Sequence, residues 1–241
     1  MEQKLISLSD LIKDSWNLYV HNMASFIFYI IISLIIPLAA SLLEYFLIYN
    51  IWLFVLLMAI GLFIDLWISV SLIEIVNRLY NKTPIEAKAI NFLAFQKVPR
   101  YLWISFVTGL LIGLGLVALI IPGIIFAVWF SLTPYIFILE GERNVVQALK
   151  ASYNLVNGRF WKTLARLLFP PLLIYAIVLL IVGVITYIIS GGNIDLINPD
   201  STTNLTLNLV SGIILSILTP LFFTFTLILY NNLKASKLTQ Q

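Results

Sequence analysis

Long apolar blocks alternate with shorter polar segments along the whole chain. A helix that crosses the hydrocarbon core of a bilayer needs about 20 predominantly apolar residues. Six stretches approach or exceed that length, at about 24–43, 51–76, 101–121, 124–139, 163–189 and 207–230. The pattern therefore predicts an all-α membrane protein with six transmembrane helices in one integral membrane domain, 1–241.

The composition supports the membrane class and excludes several others. Hydrophobic residues make up 61% of the chain and charged residues 10%, against about 45–50% and 25% in soluble domains. The absence of cysteine and the single histidine exclude disulfides, thiolate metal sites and multi-histidine metal cages. No phosphate-binding loop, zinc-protease motif or serine-hydrolase motif occurs. We therefore expect no catalytic residue, no metal, no cofactor, no enzyme activity and no nucleic-acid partner.

The distribution of positive charge decides how many times the chain crosses the membrane. Only Pro122 and Gly123, a turn signal, separate the third and fourth stretches, so one long kinked helix and five spans are the alternative. The fourteen Lys and Arg residues fall within 4–13, 78–100, 143–166 and 234–237. Six spans place all of them on one side, as the positive-inside rule requires, whereas five would split them. This predicts a cytoplasmic-membrane protein with both termini in the cytoplasm.

The cytoplasmic segments share a helix-start signal. Ser7, Thr83 and Asn144 are each followed three residues later by an acid or amide, which is the chemistry of a capping box. An aromatic residue comes nine positions after each: Trp16, Phe92 and Tyr153. We predict three parallel repeats of a capped amphipathic helix plus a transmembrane hairpin, at about 7–80, 83–140 and 144–235. The alternative is three unrelated cytoplasmic helices.

The capped helices carry apolar residues at helical spacing on one face and polar residues on the other. Such helices are typical of the membrane interface, with the apolar side in the acyl boundary. The basic residues that follow, Lys97, Arg100, Arg159 and Lys162, are then expected at headgroup depth. There each cation attracts anionic lipid by about 1 kcal/mol. The alternative is that they only anchor the topology.

Four ionisable residues are candidates for a polar site within or beside the membrane. Asp65 lies in the second stretch, about 21 Å along a helix from its start, and Glu74 lies nearer the cytoplasmic end. An acid at bilayer depth is a functional-site candidate by default; the alternatives are that Asp65 is protonated or bonded to a neighbouring hydroxyl. Arg166 is expected to reach the surface or to pair with Glu140 or Glu74.

Two glycines spaced four apart, Gly109 and Gly113, lie in the third stretch. Small residues at this spacing allow two membrane helices to approach closely. We therefore predict a helix-packing contact at these positions rather than a ligand site.

One region of the chain resembles a known group. Residues 139–142 (LEGE), 147–161 (QALKASYNLVNGRFW) and 121–124 (IPGI) are similar to the signature of a broad set of prokaryotic polytopic membrane proteins. That set includes the YciC-like family and the membrane domain found beside glycerophosphoryl diester phosphodiesterases. The resemblance is strongest over about 118–170. It implies a membrane fold and, by analogy alone, an association with lipids; no catalytic residue carries over.

Three functions from different classes remain open. The first is a non-enzymatic, lipid-interacting scaffold or accessory factor with membrane lipids, anionic ones included, as partners. The second is a small transporter or channel that uses Asp65. The third is a partner-binding immunity or assembly factor, which leaves no mark on a sequence. The sequence specifies neither a substrate, nor a protein partner, nor an oligomeric state.

Overall fold

A computed structural model describes residues 5–46, 51–141, 144–189 and 201–238, with side chains over 5–35, 52–53, 55–141, 144–188 and 209–237. The described residues form helices and turns and no strand. The helices are α1 Leu8–His21, α2 Met23–Phe46, α3 Ile51–Tyr80, α4 Ala87–Ala118, α5 Ile120–Phe130, α6 Thr133–Leu139, α7 Val145–Val156, α8 Phe160–Ile189 and α9 Ser201–Leu238.

Membrane-capable helices account for most of the described chain. Five stretches are long and apolar enough to span a bilayer: Val55–Tyr80, Ala87–Ala118, Ile120–Leu139, Phe160–Ile188 and Leu209–Lys237. A sixth consists of α1 and Met23–Ile35 of α2, which are bent by 84° at their junction. The predicted all-helical, multi-pass class is confirmed at the level of five to six membrane-capable elements.

The third and fourth predicted spans form a hairpin. The chain reverses at Leu119, whose backbone is extended (φ −167°, ψ 152°). A methyl group placed on Gly115 would lie 3.0 Å from the Cα of Gly123. In a continuous helix two residues eight positions apart are about 12 Å apart, so the alternative of one long kinked helix is wrong. The turn comes earlier than predicted, because α5 begins at Ile120 and takes Pro122 and Gly123 into its first turn.

Two of the three predicted helix caps are present. The hydroxyl oxygen of Ser7 accepts a hydrogen bond from the backbone N–H of Asp10 at 3.1 Å. The side-chain oxygen of Asn144 accepts from the backbone N–H of Val146 at 2.9 Å. Each cap satisfies an amide that the first turn of its helix leaves without a partner.

The predicted cap at Thr83 is wrong, because Thr83 ends the preceding helix instead of starting the next. Lys82 adopts a left-handed conformation (φ 53°), and the N–H of Thr83 donates to the carbonyl of Arg78 at 2.9 Å. This is the geometry of a Schellman motif at a helix C-terminus. Helix α4 starts later, at Ala87, after Glu86.

The packed core lies where α3, α6 and α9 meet α1, α7 and the first turns of α4. Its fully buried side chains include Leu72, Ile73, Ile90, Ile136, Leu227 and Tyr230. We call this part of the molecule the charged end. It comprises α1, α6, α7, the first turns of α4 and α8, and the last turns of α3 and α9. Apart from Lys4 and Arg143, which lie outside the described residues, all Lys and Arg belong to these segments and the connections between them.

The apolar faces of α1 and α7 pack against protein. The fully or almost fully buried residues are Leu11, Ser15 and Tyr19 in α1, and Ala148, Ser152 and Val156 in α7. The Tyr19 hydroxyl donates to the carbonyl of Ile217 at 2.8 Å, and the N–H of Ile6 donates to Asn232 at 3.0 Å. Helix α1 therefore runs along α9 in the opposite direction. The prediction that these faces lie in the acyl boundary is wrong for these residues, because other helices cover them.

Candidate functional site

A groove with two cations opens between α4 and the end of α6. We call it the basic groove. Its volume is about 500 Å³, and its walls are Leu93, Gln96, Lys97, Pro99, Arg100, Phe137 and Gly141. Two of the four cations that the sequence suggested for lipid binding, Lys97 and Arg100, thus share one cavity whose remaining walls are largely apolar.

The two cations are held in different ways. The ammonium of Lys97 is half-buried and donates to the backbone carbonyl of Ile138 at 3.2 Å. That carbonyl belongs to the last turn of α6, the end of a helix that attracts positive charge. An ammonium group has three donors, so two remain for a ligand. Arg100 is exposed at the rim of the groove.

The other two predicted lipid contacts lie outside the basic groove. The guanidinium of Arg159 donates to the hydroxyl of Ser236 and so ties the start of α8 to the end of α9. Lys162 is exposed on α8, and its backbone carbonyl accepts a hydrogen bond from Arg166 at 2.8 Å. The structure therefore brings two of the four predicted lipid contacts together in the basic groove.

Glu140 is the centre of a second polar cluster at the charged end. Its carboxylate accepts from the ammonium of Lys234 at 2.8 Å and from the hydroxyl of Tyr230 at 2.5 Å. Burial acts to raise the pKa of the Glu140 carboxyl, but the hydrogen bonds and positive charge of its partners outweigh burial and hold the pKa below its ordinary value. The cluster joins the end of α6 to α9.

Arg166 pairs with neither acid that the sequence suggested. Its Nε donates to the backbone carbonyl of Ile6 at 2.7 Å. Glu74 pairs instead with Arg78 one turn along α3, at 3.1 Å, and Glu140 is engaged by α9. The predicted pairing is wrong because local and α9 partners lie nearer to both carboxylates. Arg166 instead anchors the chain ahead of α1 to α8.

A second groove, which we call the Asp65 groove, lies between α2, α3 and α9. Its volume is about 310 Å³, and it is lined by Ser33, Asp65, Ile68, Ser69, Gly212, Leu215, Ser216 and Thr219. Asp65 is exposed on the helix bundle. Within the described part of the chain, it makes neither an ion pair nor a hydrogen bond. The hydroxyls that the sequence offered as partners therefore surround Asp65 without satisfying it.

Asp65 lies closer to the charged end than its position along the second apolar stretch suggested. The ring of Phe63 contacts that of Phe95 with centroids 5.5 Å apart. The indole N–H of Trp67 donates to the carbonyl of Asn91 at 3.2 Å. Asp65 stands between these two contacts, so it is level with the polar first turns of α4 rather than far from them.

The predicted packing glycines have no neighbours in the described structure. Within it, a methyl group placed on Gly109 or Gly113 would meet nothing within 4 Å. The close approach occurs instead at Gly115 and Gly123, across the α4–α5 hairpin. Sequence spacing within one helix did not reveal this pair, because its members lie on opposite arms of a turn.

Sequence reasoning also missed the contribution of α9. Ser216 and Thr219 are three residues apart in the sixth stretch, so both lie on one helix face, and that spacing was the available signal. Tyr230 and Lys234 are four apart and serve Glu140 in the same way. Across the described ranges, no group of three His, Cys, Asp or Glu side chains is placed to hold a metal ion.

The fold and the charge distribution define a multi-pass helical membrane protein. The chain is similar to a bacterial membrane protein, the UPF0259 membrane protein SG1383 of Sodalis glossinidius. The two are 29% identical over 166 residues, which cover 67% of this chain and 62% of that protein, less than two thirds of its length. No family model matches the chain. No solved structure matches it either.

Proposed function

We propose that this chain is a non-enzymatic, lipid-interacting scaffold or accessory factor of the cytoplasmic membrane that binds an anionic lipid headgroup in the basic groove. The observation that carries the proposal is that Lys97 and Arg100 line one cavity of about 500 Å³ with apolar walls. The ligand chemistry is a phosphate group attached to an apolar body.

The chemistry of the groove fits that ligand on both counts. The guanidinium of Arg100 can bind a phosphate through two parallel hydrogen bonds, and Lys97 adds a point charge whose position the carbonyl of Ile138 fixes. Leu93 and Phe137 supply apolar contact beside the cations. Trp103, which follows Arg100 by three residues on α4, is 59% exposed and matches the aromatic belt of a membrane interface.

The gathering of cations at one end supports the orientation. The positive-inside rule places such an end in the cytoplasm, which puts both termini and the basic groove on the cytoplasmic side. The cytoplasmic leaflet is also the one that carries anionic lipid. Orientation and ligand therefore support each other in the proposal.

The burial pattern supports three parallel units. Counted from the N-cap residues Ser7, Glu86 and Asn144, the fourth, eighth and twelfth following positions are almost fully buried in every copy: Leu11, Ser15, Tyr19; Ile90, Ala94, Val98; Ala148, Ser152, Val156. The ninth position is aromatic each time, as Trp16, Phe95 and Tyr153. In the proposed alignment the second unit begins at Glu86 instead of Thr83.

The second unit differs from the others because its helix does not break. Gly158 ends α7 with a left-handed backbone (φ 84°), and Asn22 ends α1. Arg100 takes the place that Gly158 has in the third unit, and α4 continues through Pro99 into the membrane. The basic groove is then a feature of the second unit alone.

The test is lipid binding by the full chain in neutral detergent, read by native mass spectrometry. We expect phosphatidylglycerol to bind more tightly than phosphatidylcholine. We also expect the double variant Lys97→Gln/Arg100→Gln to bind phosphatidylglycerol roughly thirtyfold more weakly, at about 1 kcal/mol per charge. The matched control is Lys88→Gln/Lys150→Gln, which removes two exposed cations of the charged end outside the groove.

Two results would contradict the proposal. One is the absence of any preference for the anionic lipid. The other is an equal loss in both double variants, which would mean a diffuse surface charge instead of a site. Complete displacement of phosphatidylglycerol by inorganic phosphate would also count against it. The groove would then be assigned to a soluble phosphate rather than to a lipid.

A further inference from the structure

We propose that the Asp65 groove is a binding site for a monovalent inorganic cation of the sodium class. The described residues that line the groove supply one carboxylate, that of Asp65, and four hydroxyl-bearing side chains: Ser33, Ser69, Ser216 and Thr219. This site is distinct from the basic groove, and its proposed ligand carries the opposite charge.

Two hydroxyls of the groove, those of Ser33 and Thr219, present acceptor oxygens. The hydroxyl of Ser33 donates its proton to the carbonyl of Ile30 at 2.9 Å, and that of Thr219 donates to the carbonyl of Leu215 at 2.9 Å. A hydroxyl has one donor and two acceptor lone pairs. Because the protons of Ser33 and Thr219 are engaged within their own helices, these two oxygens offer only lone pairs to the groove. Such oxygens cannot satisfy a carboxylate, but they do ligate a cation.

The ligand type and the charge select the ion. Carboxylate and hydroxyl oxygens are hard ligands that prefer hard cations over soft transition metals. Among the described residues that line the groove, Asp65 is the only ionisable one. A monovalent cation therefore neutralises the site, whereas a divalent cation would leave a net positive charge without a counter-charge in the groove, which is costly.

The dimensions and position of the groove allow a hydrated ion to enter. A water molecule occupies about 30 Å³, so a cavity of about 310 Å³ holds an ion together with several waters. Asp65 is level with the first turns of α4, as the contacts of Phe63 and Trp67 show. An ion that reaches it from the charged end therefore crosses only part of the membrane.

Asp65 also lacks a partner within the protein. Its exposed carboxylate makes neither an ion pair nor a hydrogen bond within the described part of the chain. Occupancy by a cation compensates that charge. Ligands that bind only the folded state stabilise it, so occupancy is measurable as thermal stability.

The first experiment compares chloride salts of sodium, potassium, lithium and N-methylglucamine at equal ionic strength, with the purified full chain in detergent. We expect a saturable rise in the unfolding midpoint of roughly 2–4 °C with sodium over N-methylglucamine. Radioactive sodium retained by the protein at equilibrium measures binding directly. A midpoint that responds to none of the three inorganic cations, with no retained sodium, would overturn the proposal.

The second experiment assigns the site. We expect Asp65→Asn to lose the sodium response and the retained sodium while keeping the fold, because it removes an unpaired charge. Thr219→Val keeps the side-chain shape without the oxygen and is expected to raise the half-saturating sodium concentration about tenfold. Glu74→Gln is the matched control, since its carboxylate pairs with Arg78 outside the groove. A full sodium response in Asp65→Asn, or its loss in Glu74→Gln, would overturn the assignment.

Discussion

The charged end and the remaining described turns of α2, α3, α4, α5, α8 and α9, which we call the apolar half, both contain large apolar side chains but bury them to different extents. At the charged end, Leu72 of α3 and Leu227 of α9 are completely buried by other helices. In the apolar half, Val117 of α4 is 87% exposed and Leu180 of α8 is 68% exposed. Within the described part of the chain, helices cover one another at the charged end and leave large apolar side chains uncovered at the other. The charged end is therefore where protein contacts set the geometry of a site.

The comparison predicts a large difference between two identical substitutions. Leu72→Ala removes a side chain that is fully buried at the charged end and leaves a cavity, so it should lower the free energy of unfolding by about 3 kcal/mol. Leu180→Ala should cost less than about 0.5 kcal/mol, because lipid fills the space. Denaturant titration in mild detergent measures both. Similar losses in the two variants would mean that α8 is covered by protein.

The sequence predicted the features that depend on long patterns or on one helix. The six apolar stretches and the caps at Ser7 and Asn144 belong to this class, because hydropathy and capping act within a few residues of chain. Features that depend on competition between distant partners were missed. The sequence around Thr83 predicts a helix cap. In the structure Lys82 is left-handed, and the N–H of Thr83 donates to the carbonyl of Arg78.

The candidate sites were only partly predictable for the same reason. Lys97 and Arg100 are three apart on one helix, so their common location followed from helix geometry. Asp65 was identified by its charge, but the residues from α2 and α9 that complete its groove come from far along the chain. No local pattern predicts which helices will be neighbours. The hydroxyls of the Asp65 groove and the partner of Arg166 could therefore be identified only from the fold.

A second prediction concerns the α4–α5 hairpin, where two helices of the apolar half pack closely against each other. A methyl group on Gly123 would lie 2.3 Å from a methyl carbon of Leu116 and 2.8 Å from its backbone nitrogen. Gly123→Ala should therefore cost about 2 kcal/mol in unfolding free energy through overpacking. The control Gly109→Ala meets no neighbour within 4 Å in the described structure. It should stabilise α4 by up to about 1 kcal/mol. If Gly123→Ala left the unfolding free energy unchanged, the hairpin would be packed less tightly than these distances indicate.

The smallest expected effect tests whether the polar contacts at the charged end add to its packing. Glu140→Ala leaves the hydroxyl of Tyr230, a residue only 2% exposed, without its acceptor. We expect a loss of about 1 kcal/mol at neutral pH. Glu140→Gln retains an acceptor oxygen and should lose less. Equal losses for Gln and Ala would mean that the charge of Glu140, rather than the hydrogen bond, holds α6 to α9.

The same carboxylate predicts an acid-dependent part of the stability. Because its pKa in the folded protein is lowered from the ordinary value of 4.5, folding favours the ionised form. This contribution is fully present above that value and is lost as the pH falls through it and then through the lowered folded pKa. The wild type should therefore lose more stability below about pH 4.5 than Glu140→Gln, in thermal unfolding midpoints measured from pH 7 to pH 3. Glu74→Gln, which leaves the Glu140–Lys234 pair intact, should keep that difference. Parallel acid curves for the wild type and Glu140→Gln would show that solvent screens the pair completely, and the stability of the charged end would then come from its buried side chains.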